Sequence, residues 1–131
     1  MTAYEFAVSC ELPTDAASIY RAWLSSEEHS AMTGADAEVD PAVGGTFMAW
    51  DGYISGRTLE LDPDHHIAQS WRTTEFRSEQ ADSRIDIRLD ATPTGTLLTL
   101  THSGVSADQH GYEHVGWEDS YFEPMRAYFA D

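Results

Sequence analysis

Six histidines and one cysteine are the residues of this chain whose chemistry could extend beyond packing. In the stretch HGYEHVGWEDSYF, His110, Glu113 and His114 spell H-x-x-E-H, the order in which two imidazoles about one helical turn apart hold zinc beside a carboxylate base. Glu118, four residues beyond His114, shares that face of a helix. A peptidase of this kind also needs a third ligand well downstream and a wide cleft, and little sequence follows His114. The spacing is read instead as the polar first turns of a helix near the mouth of a cavity, and no metal is expected. His65 and His66 in DPDHHIAQSW are adjacent, on opposite faces of any regular strand, and read as turn residues.

His102 differs. In TLLTLTHS it shares its parity with Leu98 and Leu100, which places a titratable ring on an inward face near a strand end. Such a ring is either a core histidine satisfied by one hydrogen bond or, with Glu113 or Glu118, an acid/base pair. Cys10 lies between Ser9 and Glu11, on the opposite parity from both, and reads as a buried, inert thiol. No phosphate-cradling glycine loop, G-x-S-x-G elbow or Cys/His cluster is present, which excludes nucleotide, serine-hydrolase and structural-zinc chemistry. No catalytic residue and no cofactor is assigned.

These residues need elements to position them. YEFAVSCEL puts Tyr4, Phe6, Val8, Cys10 and Leu12 on one parity, a strand with one buried face. PTDAASIYRAWLS then takes helical spacing through Ala16, Ile19, Tyr20, Trp23 and Leu24, with Thr14 as N-cap. Ser25 and Glu28 form a capping box for a second short helix that stops at Gly34. From Ala37 to Ser103 the chain reads as successive strands, with Asp51-Gly52 as a two-residue hairpin and TPTGT as a turn around Gly95. Gly52 and Gly56 permit a bulge that would flip the parity of Phe47 and Tyr53. In SRIDIRLDA, Ile85, Ile87 and Leu89 face inward and the Arg/Asp ladder of residues 84, 86, 88 and 90 faces water. The last segment, from about Asp108 to Phe129, is a helix of roughly 33 Å with Ser106 as N-cap and Gln109 reaching back, kinked or broken at Pro124. A curved antiparallel sheet of six to seven strands would waste its apolar parity unless that helix lay across it.

At 131 residues, with no internal repeat, the chain is read as one α+β domain over 1–131. There is no signal peptide and no run long enough to span a membrane; with a single cysteine, a cytoplasmic location is expected. Asp and Glu number 23 against seven Arg and no Lys, a formal net charge of −16, so nucleic acid and anionic membranes are poor partners. That balance suits a salt-rich cytoplasm, where the Debye length falls to roughly 3 Å at molar salt and self-repulsion is screened.

Three stretches carry a family resemblance: IYRAWLSSEEHSAMTG, VGGTFMAWDGYISGRTLELDPDHHIAQSWR, and HSGV followed by VGWEDSYFEPMRAYF. With their ordered Gly44-Gly45, Gly56, Leu61-Asp62-Pro63, Trp71 and Gly116-Trp117, they resemble the START/Bet v 1-like superfamily, in its branch named after the C-terminal domain of the activator of the Hsp90 ATPase. The resemblance implies a helix-grip fold with a cavity between the sheet and the C-terminal helix, used for lipids, sterols and other apolar small molecules. The namesake has a further N-terminal domain that these residues do not contain, so Hsp90 is a doubtful partner. The expected function is binding of a small apolar or aromatic molecule, without catalysis, at Trp71, Leu89, Leu100, His102, Trp117 and Tyr121, joined by Phe47 and Tyr53 where no bulge turns them outward. Trp71, Trp117 and Tyr121 would stack on a flat ligand, or are simply large core residues. The alternatives are a protein-interaction domain of co-chaperone type, a homodimer included, and a cavity enzyme of cyclase or hydrolase type. The charge reading predicts that the melting temperature rises steeply between low and molar KCl; a flat response in a thermal scan would refute it.

Overall fold

In β1 (Ala3–Leu12) burial alternates as the sequence does: Cys10 and Leu12 are buried, Phe6 and Val8 half-buried, and Glu5, Ala7, Ser9 and Glu11 exposed. The computed structural model describes residues 3–74, 81–106, 117–118 and 121–130. Two short helices follow, α1 (Ala16–Leu24) and α2 (Ser26–Thr33). The cap of α1 is Asp15 and not Thr14: its carboxylate accepts from the Ser18 amide at 2.9 Å, a charge-assisted bond that a hydroxyl cannot match. Thr14 belongs to the preceding turn, with its amide donated to the Leu12 carbonyl. Ser25 caps α2 by accepting from the Glu28 amide at 3.2 Å, and Gly34 closes it in the left-handed conformation. Only half of the capping box forms, because the Ser25 amide bonds to the Ala22 carbonyl and the Glu28 carboxylate turns to Arg21 and the Tyr128 hydroxyl.

The remaining strands are β2 (Glu38–Val39), β3 (Thr46–Ala49), β4 (Ile54–Asp62), β5 (His66–Thr73), β6 (Ser83–Thr92) and β7 (Gly95–Ser106). All pair antiparallel in one seven-stranded sheet of order β1-β7-β6-β5-β4-β3-β2, so β1 crosses to pair with the last strand. The β6–β7 turn is the predicted one, with Pro93 and Thr94 between paired Thr92 and Gly95. The β3–β4 turn is longer than predicted: Ala49 pairs with Ile54, leaving a four-residue connection. Trp50, Asp51 and Gly52 all take positive φ there, and Asp51 is held by reciprocal bonds with the Asp36 backbone.

Two irregularities set which side chains face inward. The β4 bulge falls at Leu59, between the Thr58–Gln69 and Glu60–Ala68 pairs, and not at the glycines the sequence suggests. Phe47 therefore keeps its inward parity, opposite Gly56. Gly56 is required by space: a Cβ would stand 2.0 Å from the Ser70 carbonyl oxygen and 2.6 Å from Phe47 Cε1. In β7 an extra residue relative to β1 between His102 and Val105 is absorbed at Gly104, whose φ is 70°.

The outer face is the predicted solvated ladder. Arg84 reaches Asp86 at 3.0 Å and Glu60 at 3.1 Å, and Arg88 reaches Asp90 at 3.2 Å. His65 lies in the turn as read, but His66 is a strand residue whose Nε2 stands 3.0 Å from Asp86, because the β4–β5 turn closes one residue earlier. Across the inner face lies the closing segment, with Trp117, Tyr121, Phe122 and Met125 buried in the core. Its regular helix, α3, covers only Glu123–Tyr128, with Pro124 in the first turn; Trp117, Glu118, Tyr121 and Phe122 have π-helical backbone. The expected break at Pro124 is thus where regular α-helix begins, the position a missing amide tolerates. The Ser106 cap, Glu113 and both histidines of HGYEH fall outside the residues whose side chains are described. Gly56→Ala should destabilise the fold by about 1–3 kcal/mol, read from a urea midpoint, because a methyl there displaces backbone as well as the Phe47 ring.

Candidate functional site

Antiparallel register lines up one row of inward residues across the sheet: Phe6, His102, Ile85, Gln69 and Thr58. Three of these are polar, and each is buried. Gln69 is held by both ends, accepting from the Trp23 indole at 3.0 Å and donating to the Thr58 hydroxyl at 3.2 Å. His102 is fully buried, with Nδ1 3.2 Å from the Trp117 indole nitrogen and Nε2 2.8 Å from Ser83 Oγ.

The partners fix the tautomer. An indole N–H only donates, so Nδ1 must be the bare nitrogen and Nε2 carries the proton. That proton goes to Ser83 Oγ, whose own hydrogen goes to the Trp71 carbonyl at 2.8 Å. Burial pushes the His102 pKa down to about 3, so the ring is neutral at physiological pH. His29 repeats the arrangement with the nitrogens exchanged. Its Nδ1–H donates to the Trp23 carbonyl at 2.9 Å, and its Nε2 accepts from the Tyr121 hydroxyl at 2.9 Å. Burial lowers this pKa as well, against the opposing pull of the Trp23 carbonyl.

Around these rings the aromatics form a continuous wall. Trp71 lies 4.7 Å from Trp117 and 6.2 Å from both Phe47 and Tyr121, centroid to centroid, and Tyr121 lies 5.0 Å from Trp23. Within it the Trp71 indole N–H, buried, has no hydrogen-bond partner; the Trp50 indole N–H is the other such atom among the described residues. A buried donor left bare costs about 1–3 kcal/mol.

Of the residues expected at the site, Phe47, Trp71, His102, Trp117 and Tyr121 come together here. Leu100 is buried one inward step along β7, opposite Ile87. Leu89 is buried too, but it pairs with Leu98, four residues from His102 and so roughly 13 Å along the sheet. Tyr53 is a correction: it sits at the end of the β3–β4 connection, 40% exposed, because the longer turn carries it off the strand face. Glu118 does not meet His102; both its oxygens are taken by Arg126, at 2.6 and 3.0 Å. Cys10 is buried as read, its pKa raised to about 12 by desolvation.

Sequence reasoning missed His29, Ser83 and Gln69. Each had a signal in its spacing. His29 lies three and four residues before the buried Met32 and Thr33, Ser83 shares parity with Ile85, and Gln69 shares it with Ile67 and Trp71. A hollow of about 670 Å³ on the outer face is lined by Asp62, His66, Asp86, Arg88 and Asp90, where Arg88 pairs with Asp90 and His66 Nε2 stands against Asp86. Among the described residues no group of three or more His, Cys, Asp or Glu could hold a metal ion, and no helix is long and apolar enough to cross a membrane.

The fold matches a known family. Residues 13–130 fit the model for "Activator of Hsp90 ATPase homolog 1-like protein". The chain belongs to that family. It is 30% identical over 114 residues to the activator of 90 kDa heat shock protein ATPase homolog 1 of mouse and of human, covering 86% of this chain and 33% of each relative. It thus spans about a third of the length of the curated relatives it matches. Among solved structures, an HSP90 activator from Plasmodium falciparum superposes with a TM-score of 0.80 at 21% identity, covering 99% of this chain and 97% of the other. CalU16 from Micromonospora echinospora gives 0.79 at 23%, covering 96% and 74%. These likenesses bear out the helix-grip fold.

The histidine geometry predicts a pH dependence. The ring of His102 has its ordinary pKa near 6.5 when unfolded and about 3 when folded, so its contribution is fully present above 6.5 and is lost as pH falls toward 3. His29 acts in the same direction. Urea melts between pH 7 and 5 should show unfolding free energy falling with acid, by up to about 1.4 kcal/mol per pH unit for each ring. In a His102→Asn variant that slope should be shallower.

Proposed function

We propose that this domain binds one small, flat, largely apolar molecule carrying a hydrogen-bond acceptor, held between the inner sheet face and the closing segment. The observation that carries this reading is the Trp71 indole N–H, buried among aromatic rings without a partner. Buried donors are nearly always satisfied, and a carbonyl or ether oxygen on a stacked ligand would satisfy this one. Phe47, Trp117 and Tyr121 supply apolar faces, with His102 and Leu100 behind them. Catalysis is not part of the reading. The two imidazoles have both nitrogens engaged and are held neutral, the Tyr121 hydroxyl is pushed far above its ordinary pKa by burial, and the Cys10 thiol is held protonated. None is poised to exchange a proton near neutrality.

The test is a ¹H–¹⁵N NMR titration in molar salt with fatty acids, sterols and flat aromatics, including flavone, a neutral aromatic ketone, and anthracene, which has no acceptor. Saturable shifts at Trp71, His102 and Trp117 are expected for flavone. Trp71→Phe should weaken flavone about tenfold, the value of one hydrogen bond, and leave anthracene unchanged. Silence across the panel from a folded sample would overturn the reading and favour contact with an Hsp90-type ATPase, which the relatives' names support.

A further inference from the structure

The sheet ends in two outer strands, and the fold treats them differently. At one end β2 is only two residues long, and Val39 has both backbone groups capped: its N–H donates to Ser26 Oγ at 2.8 Å and its carbonyl accepts from the same hydroxyl at 3.3 Å. An edge finished in this way offers no free pair of groups to a further strand. At the other end β1 runs for ten residues and pairs with β7 alone. Among the described residues, no hydrogen bond from outside that ladder reaches the backbone of Ala7, Val8, Ser9, Cys10 or Glu11. Alternate residues of the stretch therefore present N–H and C=O groups away from β7, a template for another strand.

The side chains along this edge are also incompletely covered. Phe6 and Val8 pack against the core on the inner face yet are only half-buried, and Ala7 and Ser9 are exposed on the outer one. Two carboxylates, Glu5 and Glu11, bracket the stretch on the outer face.

We propose that β1 pairs antiparallel with β1 of a second copy of this chain, about a two-fold axis through Ala7. Charge selects the register. An axis through Val8 would set Glu5 directly against Glu11, twice over by symmetry, and like charges facing across a ladder destabilise it. Moving the axis to Ala7 sets Glu5 against Ser9 and Phe6 against Val8, an aromatic against a β-branched residue on the inner face. Pairing over residues 3–11 in this register adds about eight to ten backbone hydrogen bonds. The assembly closes at two: each β1 is used up by the other, and the outermost edges are then the two β2 strands that Ser26 caps. Each copy carries a formal net charge of −16, so repulsion opposes association at low ionic strength and is screened in molar salt, where the Debye length is roughly 3 Å.

The experiment is sedimentation velocity of the full chain across a KCl series, with single variants at exposed β1 positions. In molar KCl the expected species is a dimer of the 14.6 kDa chain that dissociates as salt is lowered. Ala7→Glu places two carboxylates on the axis and should weaken the dimer by about tenfold or more. Ala7→Cys should yield a disulfide-linked dimer under mild oxidation, because facing Cα atoms lie about 4.5–5.5 Å apart, within disulfide reach. Ser9→Cys should not, because its counterpart lies roughly 13 Å away along the strand. Wild type, whose one thiol at Cys10 is buried, is the control. A monomer at every salt concentration overturns the proposal and leaves the edge for an extended segment of a different protein. A dimer indifferent to Ala7→Glu, or one linked through Ser9→Cys and not through Ala7→Cys, overturns it too, by placing the interface or the register elsewhere. If Ala7→Glu fails to fold, the two cysteine variants decide.

Discussion

Burying two imidazoles beneath one segment imposes a constraint that the rest of this structure serves. Each ring must stay neutral, each must place its one proton on an acceptor, and each must find a donor for its bare nitrogen. The acceptors are the Trp23 carbonyl for His29, and for His102 the Ser83 hydroxyl backed by the Trp71 carbonyl. Both donors, Trp117 and Tyr121, stand four residues apart on the closing segment, so one element satisfies both rings. The segment is thus held by directional bonds as well as by apolar contact, and its rotation about its own axis is specified. Apolar packing alone would leave that rotation loosely defined.

The backbone carries local irregularities that make this geometry reachable. Gly104 absorbs the extra residue of β7 next to His102, and the Leu59 bulge keeps Thr58 buried while bringing Leu61, and not Glu60 or Asp62, to the core side. Gly56 lets the Phe47 ring lie against β4 and Ser70 approach from β5. Three consecutive positive φ values at Trp50, Asp51 and Gly52 carry the strongest local strain in the described backbone, stabilised by the two bonds to Asp36. Together these features bring Phe47 and Trp71 into line with the closing segment and move Tyr53 away from it.

Charge is separated from this interior. Four of the seven arginines, at positions 57, 72, 84 and 88, lie along the central strands, and three of these pair with carboxylates beside them. Over the whole sequence Asp and Glu outnumber Arg by 23 to seven, a balance that disfavours adhesion to polyanions. The curated relatives in the family are much longer, and the match covers 33% of each.

Periodicity alone determined the class, the strand at the start, the two short helices, the sheet and the element that covers it, because an alternating strand leaves one apolar face that something must bury. It also determined that His102, Leu89 and Leu100 point inward, since parity is a local property. The meeting of those residues was not local. That His29 on α2 and Tyr121 at the far end of the chain share a bond, that Ser83 turns His102 into a defined tautomer, and that the Trp71 indole is left without a partner all follow from strand register and from the position of the closing segment. The form of the turn at Asp51-Gly52 and the place of the bulge at Leu59 are likewise not legible locally, because they depend on contacts with Asp36 and on pairing with β5. Sequence spacing says which face a side chain takes; only the assembled sheet decides which hydrogen-bond partner waits there.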